Sequence, residues 1–269
     1  MILSLLLASA ALVQSADPAD ELKQEVDAYK EILADRDRED EAIPHIDKFV
    51  QRSKANATEL REIEDMLELK EGSAEELKKK KKELEKEQKL LADTVWVAFT
   101  ARKQVTEPHL RLWKAAAIAL GQMGSHGAGY LVNAYKQDRF DKYPDDRAFM
   151  VEQIGYTKDY SKDKELVDLL DFHQDVVIAA AAKAMAQFSG APGKSRQYMV
   201  ENLVKILESY SNAASNIEDT TSVQKYTTVR GPLVDALKAL TPMSFDQPLD
   251  WTKWWNNNKN KPEFWKDPQ

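Results

Sequence analysis

Few stretches of this chain hold residue types that could do chemistry, and each fails a test of spacing. Gly193-Lys194-Ser195 matches the end of a phosphate-binding loop, whose backbone amides wrap an anion after a strand. That loop needs a glycine five places before Gly193, where Phe188 stands, so an inter-helix turn is the simpler reading. Gly121, Gly124, Gly127 and Gly129 surround Ser125-His126, but not at the dinucleotide-binding spacing. A serine nucleophile also needs a base held by a third group, which two adjacent turn residues do not supply. His45, His109, His126 and His173 lie far apart, and there is no cysteine to complete a zinc site. No loop alternates carboxylates around a glycine as calcium requires. The sequence therefore assigns no catalytic residue, no metal ligand and no cofactor.

The remaining candidates are charges and rings. Lys78 to Lys82 are five successive lysines, which on a helix point all round it. Glu75, Glu76, Glu83 and Glu85 flank them and are expected to cancel their field locally. With a net charge of −7, no nucleic-acid partner is expected. Trp251, Trp254 and Trp255 fall on one helix face, as an end cap or as a stacking platform for a sugar ring. Asn56-Ala57-Thr58 fits a glycosylation acceptor but reads more simply as a helix cap.

The elements that would carry these residues are helices. Leu22, Val26, Tyr29 and Leu33 keep helical spacing, as do Ile46, Phe49 and Val50, giving an N-terminal helical pair over 17–55. Asn56 with Glu59, and Ser73 with Glu76, read as capping boxes that open two further helices. Leu60, Ile63 and Leu67 face a seam of Leu77, Leu84 and Leu91, so 56–105 is expected to form a coiled-coil-like hairpin that Val95, Trp96, Val97 and Phe99 lead back into the core. From 106 to 269 one design recurs: an alanine-rich helix, a small-residue stop, then an amphipathic helix. Ala119-Leu120-Gly121-Gln122-Met123 aligns with Ala184-Met185-Ala186-Gln187-Phe188 and with Ala239-Leu240-Thr241-Pro242-Met243, and Ile154-Gly155 repeats Leu120-Gly121. The second helices show three matching triplets, Leu131-Ala134-Tyr135, Leu166-Leu169-Leu170 and Leu203-Ile206-Leu207. The polar stretch from Glu208 to Lys225 reads as an exposed loop.

The alanine-rich helix, its Leu-Gly turn and the amphipathic helix after it resemble HEAT repeats of the shorter, bacterial HEAT-like kind. The ending, Ala239-Leu240-Thr241, Phe245-Asp246 and Trp251-Thr252-Lys253-Trp254-Trp255, is similar to the closing unit of exported bacterial HEAT-repeat proteins. The resemblance implies an all-α, armadillo-type α-solenoid of stacked helix pairs, with the hairpin as an insertion. It also implies a concave face that binds other proteins, and no catalytic residue.

At the N-terminus, an apolar run from Ile2 to Val13 precedes Gln14-Ser15-Ala16 and an acidic stretch, the pattern of a signal peptide over 1–16. A cut after Ser15 puts Val13 three places before the bond. The run is too short to span a bilayer, and no transmembrane segment is expected. The chain thus reads as an exported protein of the cell envelope, periplasmic or extracellular, that acts by binding. Its partner-facing candidates are Asn133, Lys136, Glu201, Lys205 and Glu208. The other classes are self-assembly through the leucine seam and polysaccharide binding through the tryptophans.

Overall fold

The computed structural model describes residues 18–35 and 37–267; the expected signal peptide lies outside them. Among the described residues every regular element is a helix. α1 (Pro18–Ala34) buries Leu22, Val26, Tyr29 and Leu33, the stripe its spacing predicts. α3 (Ala74–Ala101) begins at Ser73, whose Oγ accepts the Glu76 amide at 3.5 Å. Thr106 opens α4 (Glu107–Gln122) in the same way, accepting from the His109 amide at 3.4 Å.

Asn56 opens no helix. α2 runs unbroken over Glu39–Leu69, so the expected boundary at 55/56 falls inside it. Continuing the helix adds one backbone bond per residue, and the Asn56 side chain finds another use. It is buried and donates to Glu87 of α3 at 2.8 Å. Beside it Arg52 donates to Glu87 at 2.6 Å, and Ser53 and Gln88 exchange bonds of 2.5 and 2.7 Å. This polar patch fixes how α2 and α3 lie side by side, because a shift along the axis would strand buried donors. Leu84 and Leu91 of the leucine seam are buried, while Leu77 and the facing Leu60 and Leu67 are half-buried. Lys80 and Lys81 pair across the hairpin with Glu59 and Glu64 of α2.

The rest of the chain adds α5 (Ser125–Tyr135), α6 (Pro144–Tyr156), α7 (Asp163–Asp168), α8 (Asp175–Ala186), α9 (Gly193–Ala213), α10 (Thr220–Leu240) and α11 (Pro248–Asn258). One row packs in series, α2 on α4, α4 on α6, α6 on α8 and α8 on α10. The intervening helices lie beside it: α5 touches α3, α4 and α6, while α9 touches α7, α10 and α11. α8 is buried nearly all round, through Val177, Ile178, Ala179 to Ala182, Ala184 and Met185, because α6, α7 and α10 enclose it. Leu166, Leu169 and Leu170 are buried as their spacing predicts, although a short α7 and a 3₁₀ turn at Leu169–Asp171 divide them. The predicted loop from Glu208 to Lys225 is mostly helix: α9 continues to Ala213, and α10 begins at Thr220 behind the Asp219 cap. Its polar residues sit on solvated helix surface, which composition alone does not distinguish from a loop.

The C-terminal tryptophans are buried. Trp251 is fully enclosed, Trp254 and Trp255 nearly so, and Phe245, Phe264 and Trp265 meet them edge-on. α11 seats this block on α9. The chain then folds back over the start of α9, where the Gly193 amide donates to Asp267 at 2.6 Å. The helix terminus that could have met a phosphate is thus capped by the chain's own carboxylate.

Three glycines are required by close approach to backbone, Gly127, Gly155 and Gly193, the last lying under Trp265. A Cβ on Gly155 would lie 2.7 Å from the Ala184 Cα and carbonyl oxygen, and one on Gly127 would lie 1.9 Å from the Leu120 oxygen. Gly155→Ala is therefore expected to lower unfolding free energy by about 2 kcal/mol, since α6 and α8 must separate to admit a methyl group. Gly129→Ala, where nothing lies within 4 Å of the new carbon, should be neutral or stabilising by up to about 1 kcal/mol. Urea titration of the two variants measures the contrast, and equal midpoints would refute the close-packing account.

Candidate functional site

Three places gather polar groups closely enough to consider. The first is buried where α2, α3 and α4 meet. Arg102 donates to Glu39 at 2.5 Å and to the carbonyls of Leu33 and Asp35 at 2.7 and 2.5 Å, and the His109 ring stands 3.3 Å from the same carboxylate. Burial pushes the Glu39 carboxyl up, but its bond to Arg102 and the neighbouring His109 outweigh this and hold it below its usual range. Close by, the Arg139 guanidinium lies 4.2 Å from the Trp113 ring centre and donates to the carbonyls of Phe99 and Arg102. Burial lowers its pKa to about 10, which leaves it charged at neutral pH. Arginine and carboxylate satisfy one another here, and the cluster ties the α1–α2 corner to the end of α3.

The second place is a pair of tyrosine–aspartate contacts. Tyr130 donates to Asp93, and Tyr210 donates to Asp175 at 2.8 Å. Burial, then the aspartate bond, raises the Tyr130 hydroxyl to about 12; the same causes raise that of Tyr210. A phenol held this firmly protonated works as a donor, and here each joins neighbouring helices.

The third is a set of clefts along the alanine-rich row. Between α4 and α6 a cleft of about 380 Å³ is lined by Ile118, Gly121, Gln122, Phe149, Gln153 and Tyr156. Phe149 also borders a second cleft, where Ala148 and Glu152 of α6 face Ala180 and Lys183 of α8 and Pro232 of α10. Val176 and Thr228 carry the surface on into a third cleft, with Pro144 and Gln174. These clefts share residues in sequence and so cross α4, α6, α8 and α10. Ala148, Phe149, Ala179 and Ala180 line the second cleft beside the Lys183–Glu152 ion pair of 3.4 Å, whereas the third is mostly polar, with Gln174, Asp175, Thr221, Gln224 and Lys225. Pro232 has no amide hydrogen, so the Thr228 carbonyl at the cleft lacks its helical donor.

The five residues singled out from the sequence lie elsewhere. Asn133 is exposed on α5 and Lys136 at its C-terminal cap, while Glu201, Lys205 and Glu208 lie on α9. Glu201 and Lys205 pair with each other at 2.7 Å, and none of the five lines the clefts above. Sequence reasoning missed Ile118, Phe149, Gln153 and Thr228. Two signals were present: Ile118 and Tyr156 are large residues off the buried stripe, and Pro232 interrupts a helical pattern. Of the histidines, His45 stands 2.5 Å from Glu25, His109 belongs to the Glu39 cluster, and His173 packs on Phe172. Among the described residues no three His, Asp or Glu side chains are grouped to hold a metal ion.

The chain matches no family model, no curated protein and no solved structure. Function must therefore be argued from the clefts and the packing alone.

The Glu39 cluster yields a pH test. A carboxyl held below its usual value adds stability that is complete above pH ~4.3, its unfolded value, and is lost as pH falls through the lower folded value. Glu39→Gln is expected to cost about 3 kcal/mol at pH 7 by leaving Arg102 buried without its counter-charge. The gap between variant and wild type should narrow as pH drops below about 4. Urea midpoints measured from pH 7 to pH 3 follow it; a gap that stays constant would show that the carboxylate charge contributes nothing.

Proposed function

We propose that this chain is an exported HEAT-like α-solenoid that binds other proteins and carries out no reaction of its own. Its binding face is formed by α4, α6, α8 and α10. The observation that carries this reading is the linked run of clefts across four helices packed in series. Serial packing supports the solenoid, since each helix pair leaves an apolar face that only its neighbour covers. In a curved stack, the row whose helices stand closer together lies on the inside. The small residues at Gly121, Gly155 and Ala184 favour the alanine-rich row for that place. The binding surface thereby moves away from Asn133, Lys136, Glu201, Lys205 and Glu208. Export rests on the leader-like pattern over 1–16, and no described helix is long and apolar enough to cross a membrane. Burial of Leu84, Leu91 and the three tryptophans of α11 favours this face over the two other surfaces suggested by sequence, although Leu77 of the seam is only half-buried.

The reading is tested by placing a photo-crosslinking amino acid at Lys183 or Thr228, and separately at Asn133 or Lys205, in the full chain within its native cells. Discrete protein adducts are expected from the first two positions only. Adducts confined to Asn133 and Lys205, or none at any position, would overturn the assignment.

A further inference from the structure

The first half of α10 is held to the rest of the molecule far more weakly than the second. From Glu208 to Thr228 no residue is buried, whereas Leu233, Val234, Ala236, Leu237 and Leu240 of the second half all are. The side chains of Thr220 to Thr228 bond only within this stretch and its cap: Ser222 to Asp219, Thr227 to the Val223 carbonyl and Thr228 to the Gln224 carbonyl. Among the described residues none of their hydrogen bonds or ion pairs reaches another helix. Tyr226 packs the stretch on the core, and it is only half-buried.

The local sequence weakens the helix further. Thr220, Thr221, Ser222, Val223, Thr227 and Thr228 are of types that lose side-chain freedom in a helix or compete for its backbone bonds. A hydroxyl that bonds the carbonyl four residues back, as those of Thr227 and Thr228 do, also bends a helix. Gly231-Pro232 then stands between the two halves. Pro232 has no amide proton, so the rung that would tie it to Thr228 is missing. At Gly231 nothing lies within 4 Å of where a Cβ would be, so no neighbour requires a glycine. What glycine adds there is backbone freedom.

We propose that Thr220 to Arg230 is a lid that turns about Gly231-Pro232 and sets the width of the cleft between α8 and α10. One wall of that cleft is Thr221, Gln224, Lys225 and Thr228 of the lid, and the other is Gln174, Asp175 and Val176 at the start of α8. The α8 wall is fixed, since Val177 and Ile178 behind it are buried and Asp175 accepts from Tyr210 of α9. The lid carries the wall that moves. The exposed turn from Ser215 to Asp219 gives slack at its other end, leaving a short helix between two flexible points. Thr228 also borders the neighbouring cleft beside Ala180 and Lys183, so one motion changes both. The lid is a property of the fold and stands whatever the clefts bind.

The chain has no cysteine, so spin labels can be placed in pairs on introduced ones. The lid pair joins Gln224→Cys to Lys164→Cys on α7, and a control pair joins Asp235→Cys, beyond the hinge, to the same Lys164→Cys. All three positions are exposed. Pulsed electron-spin distance measurement on the full chain should give two distances for the lid pair and one for the control pair. Gly231→Ala together with Pro232→Ala restores the missing rung and should leave the lid pair with a single distance. Tyr226→Ala loosens the lid from the core and should shift the balance between the two. Hydrogen exchange separates a lid from a frayed end: amides of Thr220 to Arg230 should exchange about tenfold faster than those of Leu233 to Leu240, yet about tenfold slower than an unstructured peptide. A single distance in the otherwise unaltered chain, two distances that survive the hinge replacement, or a balance that Tyr226→Ala leaves unmoved would overturn the proposal. So would exchange equal in the two halves, or exchange of the first half at the unstructured rate.

Discussion

The structure depends on how closely one row of helices can approach. At Gly155 the α6 backbone lies so near Ala184 of α8 that a single methyl group would not fit. Small side chains have little apolar area to bury, so α8 gains its stability from being enclosed on several sides at once. Enclosure demands neighbours, and the neighbours α6 and α10 are held in turn by α4 and α9. A residue choice that looks like mere helix propensity is thus a constraint on the spacing of the whole row.

That spacing also explains the clefts. Where two helices meet through glycine and alanine, larger residues just off the contact line stand proud of a low floor. Ile118, Phe149 and Tyr156 are such residues, and Gln153 is set down among them. Longer groups tie the intervening helices to each other and to this row: Tyr130 of α5 reaches Asp93 of α3, Tyr210 of α9 reaches Asp175 of α8, and the Arg139 guanidinium lies on Trp113 of α4. Backbone proximity sets the spacing within the alanine-rich row, polar side chains fasten its neighbours to it, and the grooves described lie along that row.

Much of the fold was legible because periodicity reports burial directly. The stripe of α1, the Ser73 cap, the three apolar triplets and the buried tryptophan face all follow from spacing. Asn56 misled because a capping box needs only two residues, whereas the helix that runs through it is decided by partners in α3, more than 30 positions away in sequence. The polar stretch after Glu208 misled because solvated helix and loop share a composition. The candidate site was much less legible. Exposure was guessed from the polar residues of α5 and α9, while the clefts arise between helices, at places such as Phe149 and Thr228 that no local pattern marks.

The tryptophan block of α11 has a consequence for how α9 is held. α11 covers one surface of α9, and the Asp267 carboxylate covers the first amide of α9. The three rings are buried together, so detaching α11 from α9 would expose them as one apolar block and not one by one.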